Sequence, residues 1–193
     1  MGLCSRRPTR VSLLTKRHRQ LRLKWAREHR DWTTGWWWRY YALEKFSWAA
    51  LGPAVVVEQT MKAANYLNII AYQLHPYLAF VFPTRNGIFQ QDNAPCHKIQ
   101  IVLEWFEEHT DEFHLMSCPP NSPDLNPMEH IWDVMERQLR AQTSPCPNIS
   151  NLRDRCLDIW YNLSPVMYQK LVASMPRRVA AVLKAKGGER VIE

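Results

Sequence analysis

Two carboxylates, Asp92 and Glu129, lie where the sequence could bring metal-binding groups together. Asp92 directly follows the apolar segment GIFQQ, with Asn93 and His97 close behind it, and the carboxyl end of a strand is where α/β proteins bind ligands. Glu129 is the third residue of a predicted helix that has Asn126 as its N-cap. Carboxylates suit Mg²⁺ or Mn²⁺, which stabilise the attacking and leaving oxygens in phosphoryl transfer. One carboxylate ends a strand and the other starts a helix two elements later, so both could meet at one rim of a sheet.

Each carboxylate also has an ordinary structural explanation. Asp92 can begin the turn DNAP with local backbone hydrogen bonds, and Glu129 can reach back to the backbone N–H of its own helix cap. Asp133 and Glu136 share a helix face with Glu129, and they could support a metal site or face the solvent; we favour the solvent for Glu136. Asp124 is expected to be a turn residue. Taken singly, neither Asp92 nor Glu129 decides the function.

Thiol and imidazole groups offer a second kind of metal site on paper. The groups are Cys96, His97, His114, Cys118 and His130. Their spacings match no zinc-finger pattern, so we do not expect a zinc site. We instead expect His97 and His130 near the acidic pair, where they contact substrate phosphate or hydrogen-bond locally. The five cysteines of the chain are odd in number and irregularly spaced, which indicates reduced thiols in an intracellular protein.

Hydrophobic periodicity places the elements that must carry these residues. The predicted helices are a short basic helix from about Thr15, an amphipathic helix over Thr60–Leu74, the segment KIQIVLEWFEEH, a helix from Pro127, and two more over about 150–163 and 165–186. Strands are predicted within 31–59, including AVVVE, at NGIFQQD and at FHLMSC. The predicted apolar stripes are Ile99, Val102, Leu103 and Phe106 on one helix, and Met128, Ile131, Trp132, Met135 and Leu139 on another. This order of elements predicts an α/β fold with a mixed sheet.

The charge of the chain is concentrated near its beginning. The 193 residues, 46% of them hydrophobic, are enough for one domain with a sizeable core. The formal net charge is +7, but residues 1–30 alone carry +9, so the remainder is slightly acidic. A dense basic arm indicates a polyanionic partner, most commonly nucleic acid; the alternative is a solvated surface segment. The arm contains basic residues suited to nuclear import, and the sequence has no apolar signal core and no apolar run of the roughly 18 residues that a membrane span needs.

Two motifs carry a resemblance to a known family. FQQDNAPCH and PPNSPDLNPMEHIWDVMERQLR closely resemble the second and third acidic motifs of Tc/mariner-type transposases, which are members of the Asp-Asp-Glu transposase superfamily. SLLTKRHRQLRLKWAREHRDWT and EQTMKAANYLNIIAYQLHPYL resemble two further segments of that family, so the resemblance covers about Arg6 to Gly188. It implies an RNase H-like mixed sheet flanked by helices, with Asp92 and Glu129 as catalytic metal ligands that have 36 residues between them.

The resemblance also implies an activity and its partners. The activity is metal-dependent DNA cleavage and strand transfer, hence transposition and DNA integration, with Mg²⁺ or Mn²⁺ as the ancestral cofactor, DNA as the partner, the nucleus as the compartment and a homodimer as in intact relatives. Residues 1–30 would be a basic linker or arm, and 31–188 the catalytic domain, shortened near 38–46. The residues that we assign to DNA contact are Arg6, Arg7, Arg10, Lys16, Arg17, Arg19, Arg22, Lys24 and His97.

Two departures from the family pattern change the expectation. Relatives begin with paired helix-turn-helix modules, which this sequence does not contain, so we do not expect sequence-specific recognition of transposon ends. The first catalytic Asp of the family lies in a pattern resembling Phe-Ser-Asp-Glu, and here no Asp occurs between Trp32 and Asp92. The segment is shortened where strand sequence is expected, so we predict an incomplete sheet. Two metal ions need a bridging carboxylate, so we also predict impaired catalysis, with Glu44 and Glu58 as the only nearby acids that could substitute. The alternatives are a non-catalytic DNA-binding or interaction module and a decayed reading frame without a stable function.

Overall fold

Three parallel strands form the sheet that positions Asp92. The computed structural model describes residues 14–33, 40–42, 51–52, 54–57, 61–81, 83, 87–142 and 144–188. Strands β1 (Tyr40–Ala42), β2 (Gly87–Gln91) and β3 (Phe113–Ser117) lie side by side in that order. Ala42 is in register with Gln90, and Gln91 with Ser117, so the carboxyl ends of the strands share one edge. Among these described strands there is no antiparallel pair of the kind that a mixed sheet contains.

Helices account for most of the remaining described residues. The α-helices are α1 (Lys16–Glu28), α2 (Ala63–Ile69), α3 (His75–Val81), α4 (Gln100–Glu108), α5 (Pro127–Ala141), α6 (Ile149–Tyr161), α7 (Pro165–Ala173) and α8 (Met175–Lys184). A π-helical turn, Ile70–Leu74, joins α2 to α3, and 3-10 turns cover Pro95–Lys98 and Pro123–Leu125. In the part of the chain that is described, no helix combines the length and the apolar character that crossing a membrane requires.

Two helix starts follow the signals that the sequence predicts. The Thr15 hydroxyl accepts a hydrogen bond from the His18 N–H at 3.1 Å, and α1 begins at the next residue. Asn126 Oδ1 accepts from the Met128 N–H at 3.1 Å, and Pro127 opens α5. Each cap satisfies a backbone donor that the first helical turn leaves without an intrahelical partner. The sequence therefore fixes locally where α1 and α5 begin.

Two predicted helices differ from the observed ones. The helix predicted over Thr60–Leu74 begins at Ala63 and continues as helical backbone to Val81, and its predicted cap Thr60 lies outside the described residues. The helix predicted over 165–186 is interrupted at Ser174, between α7 and α8. Pro176, the second residue of α8, has no N–H and cannot continue the hydrogen-bond pattern of α7. The proline therefore separates two short helices.

Several apolar residues lie outside the core despite their periodicity. Residues 54–57 of the predicted AVVVE strand are not in a strand, and Val56 and Val57 are exposed. Ile99, Leu103 and Trp132 are also exposed, with 44% of Trp132 accessible. Their helices α4 and α5 bury only a narrow stripe, Val102 and Phe106 on α4 and Met128, Ile131 and Met135 on α5. Apolar residues on the flanks of those stripes therefore remain at the surface.

Both faces of the sheet are covered by helices. Ile88 and Met116 belong to a core cluster with buried residues of α1, α5, α6, α7 and α8. Phe89, the neighbour of Ile88, belongs to a second cluster with buried residues of α2, the π turn, α3 and α4. Successive side chains of a strand point to opposite faces, so β2 contributes to both clusters. A parallel sheet buried on two faces is the arrangement expected for an α/β fold.

Arg22 ties three distant parts of the chain together. Its guanidinium is fully buried and donates to both carboxylate oxygens of Asp124, at 2.7 and 2.6 Å. Arg22 Nε also donates to the Gly187 carbonyl at 3.0 Å. Gly187 has φ +83°, and a Cβ there would lie 2.1 Å from the Arg19 carbonyl oxygen, so only glycine fits. We call Arg22, Asp124 and Gly187 the Arg22 latch; it joins α1, the loop before α5 and the chain after α8.

The latch corrects one predicted role and changes the boundary of the arm. Arg22 was assigned to DNA contact, but its buried guanidinium is engaged by Asp124 and cannot reach a phosphate in this fold. Trp25 and Ala26 on the same helix are buried in the larger core cluster. Residues 16–28 of the predicted 1–30 arm are therefore packed against the 31–188 domain, and residues 1–13 lie outside the described part.

We predict that Asp124→Asn lowers the free energy of unfolding by about 3 kcal/mol, because it leaves the buried Arg22 charge without its anionic partner. Chemical denaturation followed by circular dichroism would measure the change. Asp154→Asn is the control, since Asp154 pairs with Arg153 in the solvent, where 59% of its side chain is exposed. That variant should lose less than about 1 kcal/mol. Equal losses in the two variants would contradict a structural role for the latch.

Candidate functional site

Asp92 lies at the edge of the sheet directly after β2. Its Oδ1 accepts a hydrogen bond from the Ala94 N–H at 2.9 Å, so the turn that offered an ordinary explanation for Asp92 is present. The Nδ1 atom of His97 lies 2.7 Å from the same oxygen, although the contact is bent away from good hydrogen-bond geometry. His97, followed by smaller effects of Ala94 and Lys98, holds the pKa of Asp92 below its usual range against the opposing effect of burial. Asp92 is therefore both a turn residue and an ionised, half-exposed carboxylate.

His97 is a buried support for Asp92 and does not form part of an exposed phosphate-binding surface. Its ring lies against the ring of Tyr66 with centroids 4.1 Å apart. The Tyr66 hydroxyl in turn donates to Gln91 Oε1 at 2.9 Å. Burial raises the pKa of Tyr66, so the phenol stays protonated and keeps this hydrogen bond. His97 was predicted both near the acidic pair and in contact with DNA; the first is confirmed, whereas its burial contradicts the second.

Glu129 is exposed at the start of α5 and is not used as a helix cap. The Asn126 N–H donates to the Pro123 carbonyl at 3.1 Å, so the reciprocal cap that would have explained Glu129 does not form. Partial burial, then the charges of Asp133 and Asp92, raise the pKa of the Glu129 carboxyl. Asp92 and Glu129 are thus close enough to repel each other. The charges of Asp92, after β2, and Glu129, in the first turn of α5, therefore act on each other across this edge of the sheet.

Cys118 lies beside the end of β2 and was not predicted as part of this site. It follows β3 as Asp92 follows β2, and its N–H donates to the Gln91 carbonyl at 3.2 Å. Asn93 Nδ2 donates to the Cys118 carbonyl at 2.8 Å, and Gln90 Nε2 contacts the Cys118 sulfur. Burial, with a contribution from nearby carboxylates including Asp92 and Glu129, raises the pKa of this thiol to about 12. Its place after a buried strand is the sequence signal that could have identified it.

His130 follows Glu129 but is engaged on the side of α8. Its Nε2 contacts the guanidinium of Arg178, which also donates to the Asp124 carbonyl at 2.8 Å. Burial, then the Arg178 charge, lowers the pKa of His130, so the imidazole is neutral at pH 7. His130 therefore connects α5 to α8. Of the five groups combined on paper as a zinc site, none belongs to the metal-binding type of cluster found among the described residues.

The predicted basic residues fall into three groups. Lys16, Arg17, Arg19 and Lys24 are exposed on α1, and we call them the α1 basic residues. Arg22 is buried in its latch. Arg6, Arg7 and Arg10 lie outside the described residues, as do the acids Glu44 and Glu58. A polyanion could therefore reach the first group only, within the part of the chain that is described.

The strand beside β2 contributes no third carboxylate in its described part. β1 consists of Tyr40, Tyr41 and Ala42, and Ala42 lies in register with Gln90, two residues before Asp92. Asp133 is the further acid that affects Glu129, from one turn later on α5. The described site thus contains two hard oxygen donors from the predicted set, which suit Mg²⁺ or Mn²⁺.

Comparison with known proteins shows which family and which solved structures this chain is similar to. Residues 9–153 match a protein family described as DDE superfamily endonuclease. Transposable element Tcb1 transposase of Caenorhabditis briggsae is 27% identical over 232 residues, which cover 96% of this chain and 82% of that relative. The Mos1 transposase catalytic domain, solved with Raltegravir and Mg, matches with a TM-score of 0.76 at 16% identity, over 92% of this chain and 98% of that chain. The Mos1 transposase paired-end complex with left transposon end matches with a TM-score of 0.68 at 16% identity, over 97% of this chain and 66% of that chain.

These matches confirm the predicted fold class. The chain has the RNase H-like fold of the Mos1 catalytic domain, with a small and incomplete sheet in its described part. The alignment with Tcb1 transposase extends over 232 residues, although this chain contains 193. The aligned stretch of that relative therefore includes residues that have no counterpart in this chain.

We predict that Glu129→Gln changes thermal stability in opposite directions with and without metal. The raised pKa of Glu129 means that its charge destabilises the fold above its folded pKa, and this effect disappears below the unfolded pKa of about 4.3. Without divalent ions at pH 7 the variant should melt at or slightly above the wild-type temperature, because solvent screens most of the effect. With Mn²⁺ the wild type should become the more stable protein, since only the wild type has the Glu129 carboxylate to bind the ion.

Thermal melts at pH 7 and pH 4, with EDTA and with Mn²⁺, would measure this difference. Glu108→Gln is the matched control, because Glu108 is an exposed acid at the end of α4. It should respond equally to EDTA and Mn²⁺. A Glu129→Gln protein that gains as much from Mn²⁺ as the wild type does would exclude Glu129 as a metal ligand.

Proposed function

The chain belongs to the DDE superfamily endonucleases and is a transposon-derived transposase domain of the Tc/mariner type, and we propose that Asp92 and Glu129 are its remaining metal ligands and catalytic residues. The observation that carries the proposal is the placement of Asp92 directly after β2 and of Glu129 in the first turn of α5, where the two charges affect each other. The ancestral reaction is DNA strand cleavage and transfer, hence transposition and DNA integration. We propose that this chain binds DNA but performs the reaction poorly or not at all.

The residues of the site fit Mg²⁺ or Mn²⁺. Asp92 is ionised at neutral pH, and the raised pKa of Glu129 reflects burial and then repulsion from Asp133 and Asp92, which a cation would relieve. When bound, a divalent ion stabilises charge on phosphate oxygens and activates water. Contacts within the chain position both proposed ligands. The Ala94 N–H and His97 contact Asp92 Oδ1, and the Asn126 cap fixes the helix start that carries Glu129. The neutral Cys118 thiol adds no further charge to the site.

The missing first aspartate is the reason to propose impaired cleavage. The described residues of β1 include no acid beside Asp92, and the sequence has no Asp between Trp32 and Asp92. We propose a shortening near 38–46 within the 31–188 domain, because the sequence there departs from the family pattern. A pair of metal ions needs a bridging carboxylate, so a site with two carboxylates should hold one ion weakly. Positioning of attacking and leaving oxygens would then be incomplete.

We predict that the purified chain does not nick supercoiled DNA with Mn²⁺ above the level of Asp92→Asn. A gel assay of plasmid relaxation with both proteins side by side measures this, and a Mn²⁺ titration by calorimetry on the same samples reports binding. The wild type should bind about one ion, and Asp92→Asn should bind none at the same concentrations. Binding without nicking separates loss of catalysis from loss of the site.

Nicking by the wild type that is lost in Asp92→Asn would overturn the impairment. In that event Glu44→Gln and Glu58→Gln identify the replacement acid, because Glu44 follows Ala42 by two residues, as Asp92 follows the Ala42 partner Gln90. Loss of nicking in one of the two variants would assign the role of third ligand to that residue. Unchanged nicking in both would assign it to another acid.

A second candidate function is DNA binding without catalysis, and the exposure of the α1 basic residues favours it. Lys and Arg that neutralise phosphates give affinity through the release of counterions.

We propose the nucleus as the compartment, because DNA is the partner and the 1–30 arm is basic. A homodimer is the oligomeric state that we propose, on the likeness to the Mos1 paired-end complex.

We predict that replacing Lys16, Arg17, Arg19 and Lys24 together by Gln weakens duplex binding and lowers the slope of log K against log salt by about 3 to 4. Substitution is the right test, because deleting residues 1–30 would remove Arg22 and Trp25 from the core. The control replaces four exposed basic residues of other helices by Gln: Arg137, Arg140, Arg153 and Lys170. Fluorescence anisotropy over a salt series measures both. Equal slopes in the two variants would mean that α1 is not the DNA surface.

A further inference from the structure

Two histidines and a glutamate converge at the end of the sheet away from Asp92. His75 begins α3, His109 is the C-cap residue directly after α4, and Glu112 lies in the turn before β3. One possible ligand atom from each of the three lies within 4.8 Å of the others, and His75 Nε2 is 2.7 Å from Glu112 Oε2. Glu112 immediately precedes a strand whose opposite end reaches the edge of Asp92. We call this group the His75 cluster.

A hydrogen bond to the backbone sets the tautomer of His109. His109 Nδ1 lies 2.7 Å from the Trp105 carbonyl, which can only accept, so Nδ1 carries the proton. The lone pair of the neutral ring is then on Nε2. Metal-binding histidines are commonly oriented in this way, with the other ring nitrogen donating to a carbonyl. The backbone of α4 therefore fixes His109 in the tautomer that can bind a metal.

The cluster is partly buried against an aromatic side chain and lies among helical segments. Trp105 stacks on the His109 ring at 4.0 Å and meets the His75 ring edge-on at 5.8 Å. The His75 and Glu112 side chains are 29% and 27% exposed. The π-helical turn Ile70–Leu74 immediately precedes His75, and such turns are frequent at functional sites. The three groups thus have a defined geometry and are partly accessible to solvent.

We propose that His75, His109 and Glu112 bind one Zn²⁺ ion, with water as the fourth ligand, and that the ion joins α3 to α4 and to the turn before β3. Two imidazoles and a carboxylate are a donor set that zinc accepts, whereas Mg²⁺ prefers oxygen ligands. Tetrahedral zinc places its ligand atoms about 3.3 Å apart, so the His75–Glu112 contact opens slightly. Zinc replaces the proton shared in that contact, and its binding releases this proton. The site is independent of the proposed DNA chemistry.

The test is a Zn²⁺ titration of the full chain that also carries Asp92→Asn and Glu129→Gln, so that the other carboxylates do not contribute. We expect one Zn²⁺ per chain and a rise of several degrees in the melting temperature at saturating metal. Co²⁺ should give the intense visible bands of a tetrahedral site, without the near-ultraviolet band of a sulfur ligand. A band from sulfur would overturn the proposal, because it would place the metal at a cysteine.

Single variants in the same background assign the ligands. His75→Gln and Glu112→Gln should each weaken Zn²⁺ binding by at least about 100-fold, the upper end of the loss seen for groups that only support a ligand. His114→Gln, an exposed histidine on the neighbouring strand, should bind as tightly as the background protein. The readout is the shift caused by metal in each protein, compared with its own melt in EDTA, so a loss of intrinsic stability does not imitate loss of binding. Equal metal shifts in His75→Gln and His114→Gln would overturn the site.

Discussion

The buried charge of Arg22 is the constraint on which the arrangement of this fold depends. A guanidinium cannot be deprotonated in a protein, so the fold must supply a partner wherever it buries one. Asp124 supplies the charge and Gly187 a carbonyl, from positions 102 and 165 residues away. Asp124 precedes Glu129 by five residues, and its carbonyl also accepts from Arg178. The pairing that neutralises Arg22 thereby fixes the loop that presents Glu129.

The parallel sheet provides the second fixed point. Ile88 and Phe89 anchor β2 in opposite core clusters, so a slide by one residue would turn each side chain to the other face and disrupt the packing of both clusters. The backbone bond from Cys118 to Gln91 joins the ends of β3 and β2 beneath Asp92. Asp92 is thus set by the register of the sheet and Glu129 by the Arg22 latch. The sheet register and the Arg22 latch together hold the two negative charges where they repel each other, and this repulsion favours binding of a cation.

Local signals in the sequence predicted what is decided locally. The Asn126 cap and the Thr15 cap each depend on residues within one helical turn, and both helix starts were predicted. Arg22 looked like any other residue of a basic arm, because its burial depends on a residue 102 positions away. The break at Ser174 had a local signal in Pro176, but the apolar period continued across it.

The candidate site follows the same division. Asp92 and Glu129 were predicted because each stands at a recognisable strand end or helix start, and His97 was expected beside them, whereas the place of Cys118 was missed. Cys118 contacts Gln90 across two strands, and the His75 cluster joins residues separated by a helix and a strand. No fixed spacing describes these contacts, since they arise only when the elements have packed.

Fold and catalysis depend on different features of the same strand. β1 pairs with β2 through backbone groups, which form the same hydrogen bonds whatever the side chains are. An RNase H-like sheet can therefore keep β1 beside β2 without an aspartate on β1, because one carboxylate contributes charge and little buried surface. Removing a repelling carboxylate next to Asp92 and Glu129 even relieves the metal-free protein of unfavourable charge. A transposase domain without its first aspartate can thus remain folded. The family likeness of this chain therefore does not imply that it cleaves DNA.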